Sequence, residues 1–174
     1  MMKKPAESFS ANTMITVAVL TLSDKGSKGE RKDTSGPLIR ETVKEINAQV
    51  LYYDVLPDER NLLKQKLLEY AGKVDLIVTT GGTGLSPRDI TPDVTLEVIE
   101  REVPGIAEAM RFEGLKKTSR AMLSRAVAGV LNRTLIINFP GSPKAVREGL
   151  SAILDVIPHA IEKIKGDPSE CATS

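Results

Sequence analysis

A chain of 174 residues, 41% apolar and 27% charged, is long enough to bury a core and suits one globular domain. Its formal charge of +1 and aromatic content of 3%, without tryptophan, argue against an electrostatic or stacking grip on nucleic acid and against an anionic membrane surface. One cysteine, Cys171, and one histidine, His159, rule out an internal disulfide and argue against a Cys/His zinc cage or a histidine triad.

Residues 1–12 read as a flexible lead-in, basic but without the apolar run of a secretory signal. Ile15–Leu22 is short, β-rich and apolar on both faces, which predicts a buried parallel strand. Residues 24–33 form a Gly/Lys/Asp loop, and residues 34–47 carry Ile39, Val43 and Ile46 at helical spacing. A second strand is predicted over 49–56, bounded by Pro57. A helix follows over 58–71, with Asp58 in the N-cap place and Gly72 as its closing residue.

A third buried strand over 74–80 runs into Gly81-Gly82-Thr83-Gly84. Thr91 then caps a helix with Pro92 in its first position. That helix is expected to break at Val103-Pro104-Gly105 and to be followed by another over 106–116. Two strands, 126–131 and 134–139, flank Asn132-Arg133. Ser142-Pro143 opens a long helix with an apolar stripe of Val146, Leu150, Ile153, Ile157, Ile161 and Ile164, and Pro158 is placed to kink it. Residues 167–174 read as a flexible polar tail.

This alternation predicts a single α/β domain over 13–166, a three-layer α/β/α sandwich around a mostly parallel sheet. Ligands in such folds bind beyond the carboxyl ends of the strands. The polar loops at Ser23-Asp24, Gly81–Asp89 and 140–144 would therefore meet at one sheet edge if their strands are parallel. No apolar run approaches the ~20 residues of a membrane span, so the chain is expected to be cytoplasmic.

The loop over 81–93 carries the strongest chemical signal. Three glycines in four residues let backbone amides approach an anion closely. Thr80, Thr83 and Ser86 add hydroxyls, Arg88 adds a fork suited to phosphate, and Asp89 adds a carboxylate able to hold Mg²⁺. The spacing matches neither a P-loop nor a dinucleotide loop, since no Gly-Lys-Ser/Thr follows and Pro87 stands where a third glycine belongs. A tight strand-to-helix turn is the plain alternative. Pro140-Gly141-Ser142 and Lys144 form a second anion candidate at a helix start, against a simple N-cap. Asp58 reads first as a helix cap, Asp93 as part of a helix start, and Asp33-Thr34-Ser35-Gly36 as a solvated loop.

Together, TTGGTGLSPRDITPD (79–93), LSRAVAG (123–129) and LIINFPGSPKA (135–145) resemble the MogA/MoaB family of molybdenum-cofactor biosynthesis. The chain is also similar to the G domains of gephyrin and of plant Cnx proteins. The resemblance spans about 14–166 and includes Leu22-Ser23-Asp24 and Asp33-Thr34-Ser35-Gly36. It implies a nucleotidyltransferase that adenylylates molybdopterin with Mg-ATP and releases pyrophosphate. The terminal phosphate of molybdopterin attacks the α-phosphorus of ATP, so no enzyme nucleophile is needed.

By the same resemblance, Asp58 and Asp89 are the catalytic and metal-holding carboxylates. Ser23, Asp24, Thr80, Gly81, Gly82, Thr83, Gly84, Arg88, Pro140, Gly141 and Ser142 surround molybdopterin and the nucleotide. Ser86–Thr91 has the form associated with adenylylating members. The family implies a homotrimer and a molybdate-insertion protein as partner. A non-catalytic molybdopterin carrier of the MoaB type, or a trimeric interaction module, are the other roles this scaffold can take.

Overall fold

The computed structural model describes residues 13–166. The readings made for residues 1–12, for 167–174 and for Cys171 lie outside the described residues.

The elements in chain order are β1 (Ile15–Leu22), the single turn α1 (Asp24–Ser27), α2 (Ser35–Thr42), β2 (Ala48–Leu56), α3 (Arg60–Tyr70), β3 (Leu76–Thr80), α4 (Thr91–Val98), β4 (Arg101–Glu102), α5 (Pro104–Leu115), β5 (Ala128–Leu131), β6 (Thr134–Phe139), α6 (Pro143–Ile153) and α7 (Val156–Lys165). Short 3₁₀ turns cover Val43–Ile46 and Ser119–Leu123.

The six strands form one sheet in the order β2-β1-β3-β6-β5-β4. β2, β1, β3 and β6 are mutually parallel, while β5 runs antiparallel to both β6 and β4. The β5–β6 hairpin turns on Asn132, whose φ of 54° suits an asparagine. Strand order reverses between β1 and β3, because the chain leaves β1 for β2 on one side and returns to β3 on the other.

Alternation along the strands divides the core in two. Val17, Val19, Leu76, Val78, Leu135, Ile137 and Phe139 face α2, α5, α6 and α7. Ala18, Leu20, Leu22, Ile77 and Ile136 face α3 and α4. Both faces are covered, so the central strands are buried and mostly apolar, and the polar side chains they do carry, such as Thr79, Thr80 and Asn138, are buried with hydrogen-bond partners.

Several expected boundaries shift for physical reasons. α3 begins at Arg60 with Glu59 at its N-cap, so Asp58 does not cap it. Gly72 follows that helix with φ +81°, the left-handed residue expected there. Thr91 is the first residue of α4 rather than its cap, and its hydroxyl donates to the Gly81 carbonyl at 2.9 Å. Val103-Pro104-Gly105 starts α5 instead of breaking a helix. The break comes earlier, where β4 pairs with β5, and Pro104 sits in the first turn where its missing N–H costs nothing. The C-terminal helix divides into α6 and α7 at Leu154–Asp155. Leu154 lies four residues before Pro158, the position whose carbonyl a proline ring excludes from helix.

Candidate active site

The parallel strands bring four loops to one edge. Ser23-Asp24 follows β1, Pro57-Asp58 follows β2, the glycine loop follows β3 and Pro140-Gly141-Ser142 follows β6. Between β1 and β3, at the reversal of strand order, they enclose an open cavity of about 420 Å³. Ser23, Asp24, Asp58, Gly81, Gly82, Thr83, Gly84, Asp89 and Gly141 line it, with Lys25 and Arg31 beside them. A second basin of about 380 Å³ adjoins it and shares Ser23, Arg31 and Gly141. Its lining adds Asp33, Ser35, Thr80 and Ser142.

The glycines are where they are because no side chain fits. Gly81 has φ +101°, and a Cβ there would lie 2.3 Å from the Leu22 carbonyl oxygen. Gly82 has φ +66°, and its Cβ would lie 2.4 Å from Thr91 Oγ1 and 3.1 Å from Asp58 Oδ1. The loop thus turns hard against β1 and leaves its backbone within reach of the Asp58 carboxylate.

Asp24 and Asp58 clasp each other's loops. The Asp58 amide donates to Asp24 Oδ1 at 3.0 Å, and the Asp24 amide donates to Asp58 Oδ2 at 3.2 Å. Arg88 closes onto Asp24 from the glycine loop, with Nε to Oδ2 at 3.0 Å and Nη2 to Oδ1 at 2.6 Å. Arg88 is thus paired with the Asp24 carboxylate across the cavity mouth. The Arg88 hydrogen bond and charge hold the Asp24 carboxyl below its ordinary value. Asp58 moves the other way: burial, then the negative charge of Asp24, push its carboxyl upward, and Asp89 adds to that push. Asp89 closes the tip of its own loop, accepting the Ser86 amide at 2.9 Å.

Other expected ligand residues act as braces. The Thr80 hydroxyl donates to the Pro140 carbonyl at 2.7 Å and so ties β3 to the loop after β6. The Ser35 hydroxyl donates to the Gly141 carbonyl at 2.8 Å. Pro140 lines a separate apolar cavity of about 300 Å³ under α5 and α6, not the acidic one. Ser142 caps α6, accepting the Ala145 amide at 3.5 Å.

Asp33 belongs to no solvated loop. It accepts the Thr21 hydroxyl at 2.6 Å, the Tyr53 hydroxyl, and the Ser35 and Gly36 amides at 3.0 and 3.2 Å. Burial alone would raise its carboxyl, but these donors outweigh burial and hold it down. Tyr53 is pushed up to about 12 by burial and by the Asp33 carboxylate it donates to.

Spacing alone points to no role for Arg125, although it lies within the LSRAVAG run. Its guanidinium reaches the Gly84 and Asp89 carbonyls and pairs with Asp93 in the first turn of α4. Lys25 and Arg31 are equally unremarkable by sequence, in a loop full of charges.

A family model described as a probable molybdopterin binding domain matches residues 18–159. This chain belongs to that family. Among its relatives, a molybdopterin adenylyltransferase of Helicobacter pylori is 43% identical over 157 residues, covering 88% of this chain and 89% of that protein. The molybdenum cofactor synthesis protein cinnamon of Drosophila melanogaster is 42% identical across 89% of this chain, which spans 26% of cinnamon. The molybdopterin biosynthesis enzyme MoaB of Thermus thermophilus superposes with a TM-score of 0.84 at 52% identity, covering 90% of this chain and all of that one. The three-layer fold is therefore that of the molybdopterin-binding family, and the acidic, glycine-lined cavity is the concave polar site at its strand edge.

Proposed function

We propose that this chain is a molybdopterin adenylyltransferase, using ATP to adenylylate molybdopterin for molybdenum-cofactor synthesis. The observation that carries this reading is the cavity at the β1/β3 reversal, where a glycine loop and three aspartates, Asp24, Asp58 and Asp89, converge. The adenylyltransferase relative that matches nearly end to end supports the same chemistry.

The terminal phosphate oxygen of molybdopterin forms a bond to the α-phosphorus of ATP while the bond to pyrophosphate breaks. The nucleophile arrives with the substrate, so the protein's work is positioning and charge neutralisation. The Gly81 amide donates to the Phe139 carbonyl at 3.0 Å, so the amides of Gly82, Thr83 and Gly84 cradle phosphate oxygens, and Gly141 and Ser142 border the space beside them.

Mg²⁺ fits the donor set. Among the described residues no group of three or more His, Cys, Asp or Glu side chains could hold a metal ion alone. Mg²⁺ does not need one, because it keeps several waters and takes one or two carboxylates together with substrate phosphates. Asp24 is already neutralised by Arg88, which leaves Asp58 and Asp89 as the carboxylates to hold the ion. When bound, such an ion neutralises the phosphate oxygens and favours attack at phosphorus.

The assembly we propose is a homotrimer in the cytoplasm, passing its product to a molybdate-insertion protein. Among the described residues no helix is long and apolar enough to cross a membrane. Phe112, Leu115, Met122 and Leu123 leave an apolar face exposed on and beside α5, with Phe112 66% accessible, and a second copy would cover it.

The direct test incubates purified protein with molybdopterin and Mg-ATP. Adenylylated pterin and pyrophosphate are expected. Pterin binding with no ATP-dependent product would sink the enzyme reading and leave the carrier role.

A further inference from the structure

We propose that Arg125 is a positioning residue that sets the place of Asp89 by stapling both ends of the glycine loop to the body of the domain. Its kinetic consequences rest on the adenylyltransferase reading; its structural consequence does not.

The contacts run to both sides of the loop tip. The Arg125 amide donates to the Thr83 carbonyl at 2.9 Å. Its Nε donates to the Gly84 carbonyl at 2.8 Å, and Nη2 donates to the Asp89 carbonyl at 2.5 Å. Nη1 lies 3.0 Å from each carboxylate oxygen of Asp93, in the first turn of α4. One planar fork thus fixes where the loop leaves β3 and where it enters α4. Between those points Leu85, Ser86, Pro87 and Arg88 are exposed, and the tip closes on itself through Ser86 and Asp89.

The guanidinium does not line the acidic cavity, whereas Asp89 does. Any effect of the guanidinium on the reaction passes through the backbone of Gly84 and Asp89, the two residues it holds that line the cavity. A planar fork can satisfy three acceptors in fixed directions. A lysine ammonium, a single point on a flexible stem, cannot span them. Side chains that orient metal-holding carboxylates commonly change metal affinity or activity 10–100-fold when removed.

Arg125→Ala and Arg125→Lys decide the matter with two measurements. The first is amide hydrogen exchange in the free protein. Residues 83–89 should exchange at least about tenfold faster in both variants, with β1, β3 and β6 unchanged. The second is the Mg²⁺ concentration giving half-maximal adenylylation. It should rise about 10–100-fold, while KM for molybdopterin stays within about twofold. Excess Mg²⁺ should recover Arg125→Lys but not Asp89→Asn. If Arg125→Ala does not fold, the lysine variant gives both quantities. Unchanged loop exchange, or a normal Mg²⁺ requirement in an active variant, would overturn the proposal. A wild type that makes no adenylylated product would overturn the functional reading instead, and loop exchange would still decide whether Arg125 is the staple.

Discussion

At the scale of single residues, three carboxylates share a cavity but not a role. Asp24 is engaged by Arg88, Asp89 sits at the loop tip, and Asp58 carries the strain of lying near both. Asp89→Asn keeps an oxygen able to accept the Ser86 amide, so the loop should hold. Turnover should still fall about 100-fold or more, because the charge facing phosphate and metal is gone. Wild-type-like turnover in that variant would remove Asp89 from the mechanism.

Asp58 has a pH signature. Its folded carboxyl titrates above the ordinary value of 3.8, so the folded state binds the proton more tightly than the unfolded one. Its contribution to stability is complete below that ordinary value and is lost as pH rises through the folded one. Asp58→Asn should therefore melt higher than wild type at pH 7 without ligands, and the gap should close toward pH 3. A gap that is constant with pH would mean that Asp58 is not strained by burial and by Asp24.

At the scale of elements, packing outweighs capping. Ser142 caps α6 through a long, exposed hydrogen bond of 3.5 Å, so Ser142→Ala should cost only about 0.5 kcal/mol, the low end for a cap. Leu150 on the same helix is fully buried against the sheet. Leu150→Ala should cost about 2–5 kcal/mol through lost transfer energy and the cavity left behind. Urea denaturation of the two variants measures the contrast, and comparable losses would contradict it. The same ranking explains which elements are legible in the sequence. Strands β1, β3 and β6 are predominantly apolar and β-branched runs and α6–α7 carry a long stripe, so their pattern is set by burial. Helix starts are ambiguous at Asp58 and Thr91, because a polar residue in a capping position looks the same whether it bonds its own helix or another loop.

At the scale of the whole molecule, the exposed apolar face around Phe112 is the surface assigned above to the proposed trimer. On that proposal the wild type should sediment as a trimer, and Phe112→Glu should shift it to monomer and leave the far-ultraviolet circular dichroism unchanged. A trimer that survives the substitution would place the interface elsewhere.

The glycine loop with Arg88 and Asp89, the apolar strands and the single-domain α/β plan follow from the sequence by itself. Each depends on neighbours within a few residues, where backbone geometry and burial period are written locally. Only the tertiary structure decided that Asp58 leaves its helix to clasp Asp24 across 34 residues. It alone tied Arg88 to Asp24 across 64 residues and brought Arg125 to Gly84 across 41. Those meetings depend on β1 lying between β2 and β3, and on β6 returning parallel beside β3. Strand order is fixed by how whole layers pack, and no short stretch of chain carries it.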